Sequence, residues 1–203
     1  MNSDTILTVE NLGVKFDSQK VLKDLTFFVR RGDVLAIIGP TGSGKSVLLR
    51  ALLGLVPSSG TVTWIQHLKI NYIPQRFVID KDLPLSVDEF LRFKEKSRDR
   101  IIASLKAVGF ADEHHILRKR IGLLSGGQLQ RVLIAWSIID KPDVLLFDEP
   151  TSGIDIGGEE SIYNLLKRLK DEQDMTILLV SHDLNIVYKY ANNVICLNRS
   201  MIC

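Results

Sequence analysis

The sequence is short of several things, and each shortage closes a class of protein. Only two of its 203 residues are cysteine, Cys196 and Cys203. Two such residues near one end form neither a disulfide framework nor a metal-ligand spacing, which fits a reducing compartment better than secretion. Excess charge is also missing: 26 basic residues against 24 acidic ones leave +2. That is too little to make nucleic acid or an anionic membrane the main partner, and no nucleic-acid partner is expected. No apolar run approaches the roughly 18 to 20 residues needed to span a bilayer. The opening MNSDTILTVENLGVKF has no basic stretch leading into a long apolar one, so no signal peptide is expected. There is no internal repeat and no low-complexity tract. With 45% hydrophobic and 25% charged residues, the remainder is ordinary globular composition, long enough for one domain with a sizeable core.

Continuous apolar runs alternate with amphipathic ones. DVLAIIG (33–39), DVLLFDEP (143–150), MTILLVSHD (175–183) and NVICLN (193–198) read as strands covered on both faces. ILTVENLGVKF reads as a strand pair, VLKDLTFFVRRGD as a further strand, and TVTWI and KINYIPQ as short strands, the last stopped by Pro74. KSVLLRALLGLV and EESIYNLLKRLKDEQ have helical spacing. SVDEFLRFKEKSRDRIIASLKAVGF and SGGQLQRVLIAWSII are helical too, with Ser86 and Glu89 spaced as a capping box. The charge runs KEKSRDR and RKR read as solvated helix faces. The pattern predicts an α/β protein with a mostly parallel sheet, interrupted by a helical insertion from about 76 to 137.

GPTGSGKS, Gly39 to Ser46, fits G-x-x-x-x-G-K-[ST] between a buried strand and a helical pattern. Gly39, Pro40, Thr41, Gly42, Ser43 and Gly44 would bend so that successive N–H groups face a phosphate, aided by the helix N-terminus. Lys45 adds a point charge for the β- and γ-phosphates, and the Ser46 hydroxyl can ligate Mg²⁺. A glycine-rich turn without a ligand is the plain alternative. Asp148 and Glu149 end the strand VLLFD, where open α/β sheets bind ligands. Asp148 would hold Mg²⁺ through water, and Glu149 could act as general base on an attacking water. Two acids that merely end a strand are the alternative. These features imply a nucleoside triphosphatase.

LSGGQ, Leu124 to Gln128, contains no strong acid, base or nucleophile. With it the chain resembles the ATP-binding cassette family, the ATPase subunits of ABC transporters, over essentially its whole length. GPTGSGKS resembles the Walker A loop, VLLFDEP the Walker B strand, LSGGQ the signature and SGID (152–155) the D-loop. The resemblance implies a RecA-like P-loop NTPase core, about 1–75 and 138–203, with a small antiparallel β subdomain and a helical subdomain at 76–137. It implies ATP and Mg²⁺ as ligands, with Gln75 contacting Mg²⁺ and the attacking water. His182 in VSHD would be the switch histidine near the γ-phosphate. Asp155 would join the nucleotide site. Phe16 has two readings, an aromatic stacked on adenine and a core residue; Gln75 and His182 also have ordinary structural readings. The resemblance further implies a head-to-tail homodimer in which Ser125, Gly126, Gly127 and Gln128 of one copy meet the γ-phosphate held by the other.

NYIPQRFVIDKDLPLSVDEFL, PTSGID and VICLNR are similar to the zinc-, manganese- and iron-type importers, which suggests import of a divalent metal ion. The implied partners are transmembrane permease subunits, docked around 76–100, and a separate substrate-binding protein. The implied location is the cytoplasmic face of the membrane. A cassette for another substrate, a soluble repair- or translation-type ATPase and a non-hydrolysing regulatory module are the rivals. Two features depart from the family: AWSI where many members have ARAL, and an end soon after VICLNR where many continue. The last is expected of either a minimal or a truncated cassette.

Overall fold

The computed structural model describes residues 4–17, 19–75, 77–150 and 156–198. In chain order these form β1 (Thr5–Phe16), β2 (Gln19–Arg30), β3 (Val34–Ile38), α1 (Lys45–Leu52), β4 (Ser59–Trp64) and β5 (Ile70–Ile73). Then follow α2 (Val87–Arg92), α3 (Arg98–Ala107), α4 (Glu113–Arg118), a 3-10 turn (Ile121–Leu123) and α5 (Gly126–Ile138). The chain continues through β6 (Val144–Asp148), α6 (Ile156–Gln173), β7 (Thr176–Val180), α7 (Leu184–Tyr190) and β8 (Asn193–Cys196).

The apolar runs become one parallel sheet in the order β5-β6-β7-β3-β8. Successive side chains of a strand point to opposite faces, and here both faces are covered. Leu145 and Phe147 of β6, with Ile177 and Leu179 of β7, face a core shared with α2 to α6. Val144, Leu146, Leu178 and Val180 face a second core, shared with β1, β2 and α1. This two-sided burial is why these runs carry no alternation. A separate antiparallel sheet, β2-β1-β4, lies against the second core.

Two expectations change. ILTVENLGVKF is one strand, β1, and not a pair. Asn11 takes φ 50°, and its N–H is bonded by the Thr26 hydroxyl at 2.9 Å. The residue makes a bulge, with the register shifting between Glu10 and Gly13, and the strand continues beyond it. The helical stretch from Ser86 to Phe110 is two helices, because the Ser97 side chain accepts from the Arg100 N–H and starts α3 afresh. Its charges are also less solvated than their run suggests. Lys94 pairs with Asp140 at 2.9 Å and lies 4.3 Å over the Trp136 ring, with its side chain 14% exposed.

Candidate nucleotide site

The loop Gly39–Gly44 leaves the C-terminal end of β3 and enters α1. Gly39 sits at φ 150°, and a Cβ there would lie 2.2 Å from the Leu197 carbonyl oxygen. Gly44, the N-cap of α1, takes φ 100°, a backbone conformation that strains any residue with a Cβ. Both positions disfavour other residues on steric grounds. Five other helices, α2, α3, α4, α5 and α7, are capped by their own Ser or Asp side chains. Helix α1 has no side-chain cap. Its first-turn N–H groups therefore face the groove unclaimed by a side chain. The Ser43 hydroxyl is buried there with no hydrogen-bond partner. Lys45 is buried, and its Nζ donates to the carbonyls of Gly39 at 2.8 Å and Pro40 at 3.2 Å. An uncapped helix start, an orphaned hydroxyl and a folded-back ammonium form a donor set that fits a phosphate chain.

β6 places the acids across from this loop. Asp148 ends the strand opposite Val180 of β7 and is 2% exposed. Its Oδ1 accepts from the Ser46 hydroxyl at 3.0 Å and its Oδ2 from the Tyr72 hydroxyl at 3.3 Å. Burial pushes the Asp148 carboxyl above its ordinary range; the two hydroxyls pull the other way, and Glu149 adds to the rise. Burial likewise raises the Tyr72 phenol, with Asp148 reinforcing it. The Ser46 and Asp148 oxygens are the hard-donor set that Mg²⁺ takes alongside phosphate and water. Glu149 stands at φ 48°, a strained conformation for a non-glycine residue, and its carboxylate accepts from Gln75 Nε2 at 2.5 Å.

A cavity of about 290 Å³ lies between Thr41, Gly42, Gly44, Lys45, Ser46, Gln75 and Glu149, with Val21 and Val47 as apolar walls. Phe16 is 43% exposed at the end of the β1–β2 hairpin that also carries Val21, which removes its core reading. His182 is exposed and follows Ser181, whose N–H bonds the Ile37 carbonyl, so it leaves the sheet at the same edge as the loop. Asp155 lies outside the described residues. Ser125, Gly126, Gly127 and Gln128 do not line this cavity. They start α5 instead: the Ser125 hydroxyl accepts from the Gln128 N–H and the Gln128 side chain accepts from the Ser125 N–H, both at 3.3 Å. Sequence reading did not find Val21 or Tyr72. Each reaches the site through strand pairing or helix packing, for which no short motif exists.

Residues 22–152 match the family model described as ABC transporter. The zinc import ATP-binding protein ZnuC of Photorhabdus laumondii is 40% identical over 98% of this chain and 77% of its own length. The chain belongs to the ABC transporter ATP-binding family. It is the ATP-binding subunit of a transporter and an ATPase. ZnuC of Yersinia enterocolitica is also 40% identical, over 98% of this cassette and 79% of the relative. Among solved structures, an inward-facing transporter described as of metal-chelate type matches with a TM-score of 0.85 at 31% identity, over 97% of this chain and 81% of that one. The cassette cbiO1 from Clostridium perfringens, part of the cbiONQ complex, matches at 0.83 and 31%, over 99% and 88%. No described helix of the cassette is long and apolar enough to cross a membrane.

Proposed function

We propose that this cassette hydrolyses ATP at a site completed by a second copy, and that the cycle powers import of a divalent metal ion, zinc before others. The observation that carries the catalytic half is the uncapped start of α1 facing the Ser46–Asp148 pair and the Gln75–Glu149 pair. Gly39 to Gly44 cradle the phosphates with backbone N–H groups, and Lys45 leaves its loop carbonyls to meet the β- and γ-phosphates. Ser46, Asp148 and Gln75 would hold Mg²⁺, which when bound would neutralise charge on the phosphate oxygens. Glu149, oriented by Gln75, takes the proton of the attacking water. His182 stands by the γ-phosphate, Phe16 stacks on adenine, and Asp155 belongs to the same site. Ser125, Gly126 and Gly127 bring a hydroxyl proton and helix-start N–H groups to the partner's γ-phosphate, with Gln128 holding the cap. ATP favours the closed pair because only that state completes both sites.

In this reading residues 1–75 and 138–203 form the RecA-like core, and 76–137 a helical subdomain. A shallow groove lined by Leu85, Glu89, Arg92, Phe93 and Lys96, with Phe93 75% exposed, supports docking of a permease's cytoplasmic helix around 76–100. The cassette then works at the cytoplasmic face of the membrane, and a separate protein delivers the metal. The relatives' printed role, zinc import, supports the substrate. Co-purification with a multi-spanning partner, followed by vesicle transport assays, tests this: zinc uptake driven by ATP is expected. A complex whose turnover and uptake ignore zinc, manganese and iron alike would overturn the metal assignment.

A further inference from the structure

Tyr72 belongs to none of the motifs, yet it touches the most buried acid of the site. β5 is the edge strand of the parallel sheet, and its pairing with β6 sets Tyr72 opposite Leu146, two residues before Asp148. Both side chains pack on the face that carries α1. From there the Tyr72 hydroxyl donates to Asp148 Oδ2 at 3.3 Å, while Ser46 donates to Oδ1 at 3.0 Å. One carboxylate is thus held at both oxygens, by hydroxyls from two different elements. Arg50, one turn beyond Ser46 on α1, bears electrostatically on both Tyr72 and Asp148. The terminal torsion of an aspartate is otherwise broad, so an anchor on one oxygen sets where the other faces. A cation seated between Ser46 and Asp148 would take the place of the direct Ser46 contact, and the Tyr72 contact would remain to hold Oδ2.

We propose that Tyr72 is a positioning residue that fixes the plane of Asp148 so that Oδ1 faces the cation place beside Ser46. This rests on the reading of Ser46 and Asp148 as the Mg²⁺-holding pair. Partners behind a metal ligand tune affinity by about 10- to 100-fold, and a 3.3 Å contact belongs at the lower end. The experiment is a Mg²⁺ titration of binding of a fluorescent, non-hydrolysable ATP analogue to the whole chain, repeated in EDTA. Tyr72→Phe is expected to raise the half-saturating Mg²⁺ about tenfold, with affinity in EDTA unchanged. Tyr72→Met, which also lacks the hydroxyl, should behave alike and serves if the first variant misfolds. An unchanged Mg²⁺ dependence overturns the proposal, and so does an equal loss in EDTA. Asp148→Asn separates the two readings. If it shifts the Mg²⁺ dependence and Tyr72→Phe does not, only the positioning role fails. If Asp148→Asn shifts nothing, the cation pair itself is misassigned and the proposal falls with it.

Discussion

At the scale of single residues the site is built against stability. Asp148 is buried, and burial raises its carboxyl above the ordinary value. The folded protein therefore holds that proton more tightly than the unfolded chain does. Stability from this group is present below the ordinary carboxylate range and is lost as pH rises through the raised value. At neutral pH the charged carboxylate is a net cost of folding. Asp148→Asn is expected to raise the melting temperature of the nucleotide-free chain at pH 7, to lose that advantage in acid, and to abolish Mg²⁺-dependent turnover. Thermal melts across pH check the first two and an ATPase assay the third. Glu149 adds backbone strain at φ 48°. Glu149→Gln keeps the size and the reach to Gln75 but removes the base, so turnover should fall by about 10²- to 10⁴-fold with nucleotide binding retained. Stopped-assay turnover beside a binding titration reads both. The loop and the acids were legible because they are local in the chain: the loop and the start of its helix are eight consecutive residues, and a buried strand ends in the acids. Tyr72 was not, because only the pairing of β5 with β6 brings it to Asp148.

At the scale of elements, α5 does two jobs with one segment. Ser125 and Gln128 cap it reciprocally, and the same serine is the second residue of LSGGQ, the segment proposed to meet the partner's nucleotide. The two jobs can be separated. Ser125→Ala removes the cap and should cost about 1 kcal/mol of stability. Ser125→Asp keeps a good cap and suits the helix dipole, yet in the proposed pair would set a negative charge against the partner's phosphate. Urea unfolding is expected to weaken only the alanine variant, while ATP-dependent pairing fails in the aspartate one. Core strands obey a simpler rule: Phe147 is fully buried, and Phe147→Ala should cost about 3–5 kcal/mol by the same unfolding assay. The strands could be read from their apolar runs, because two covered faces leave no other pattern. The break between α2 and α3 was masked by a continuous run of charges around Ser97. Trp136 meets Phe90, with ring centroids 6.1 Å apart and the planes tilted by 32°, and Lys94, whose Nζ lies 4.3 Å from the ring centroid.

At the scale of the whole molecule, the loop and the signature lie on one chain, but the signature does not line that chain's own nucleotide cavity. Ser125, Gly126 and Gly127 have N–H groups and a hydroxyl proton to give, and in a single copy no phosphate to receive them. We propose that a second copy supplies it. Sedimentation of Glu149→Gln with and without ATP and Mg²⁺ tests this most directly, with the Ser125→Asp, Glu149→Gln double variant as control. The composite site requires a single-mass species without nucleotide, a doubled mass with ATP, and a single mass for the double variant under both conditions. Glu149→Gln chains that bind ATP fully and still sediment as single copies at every concentration would contradict it.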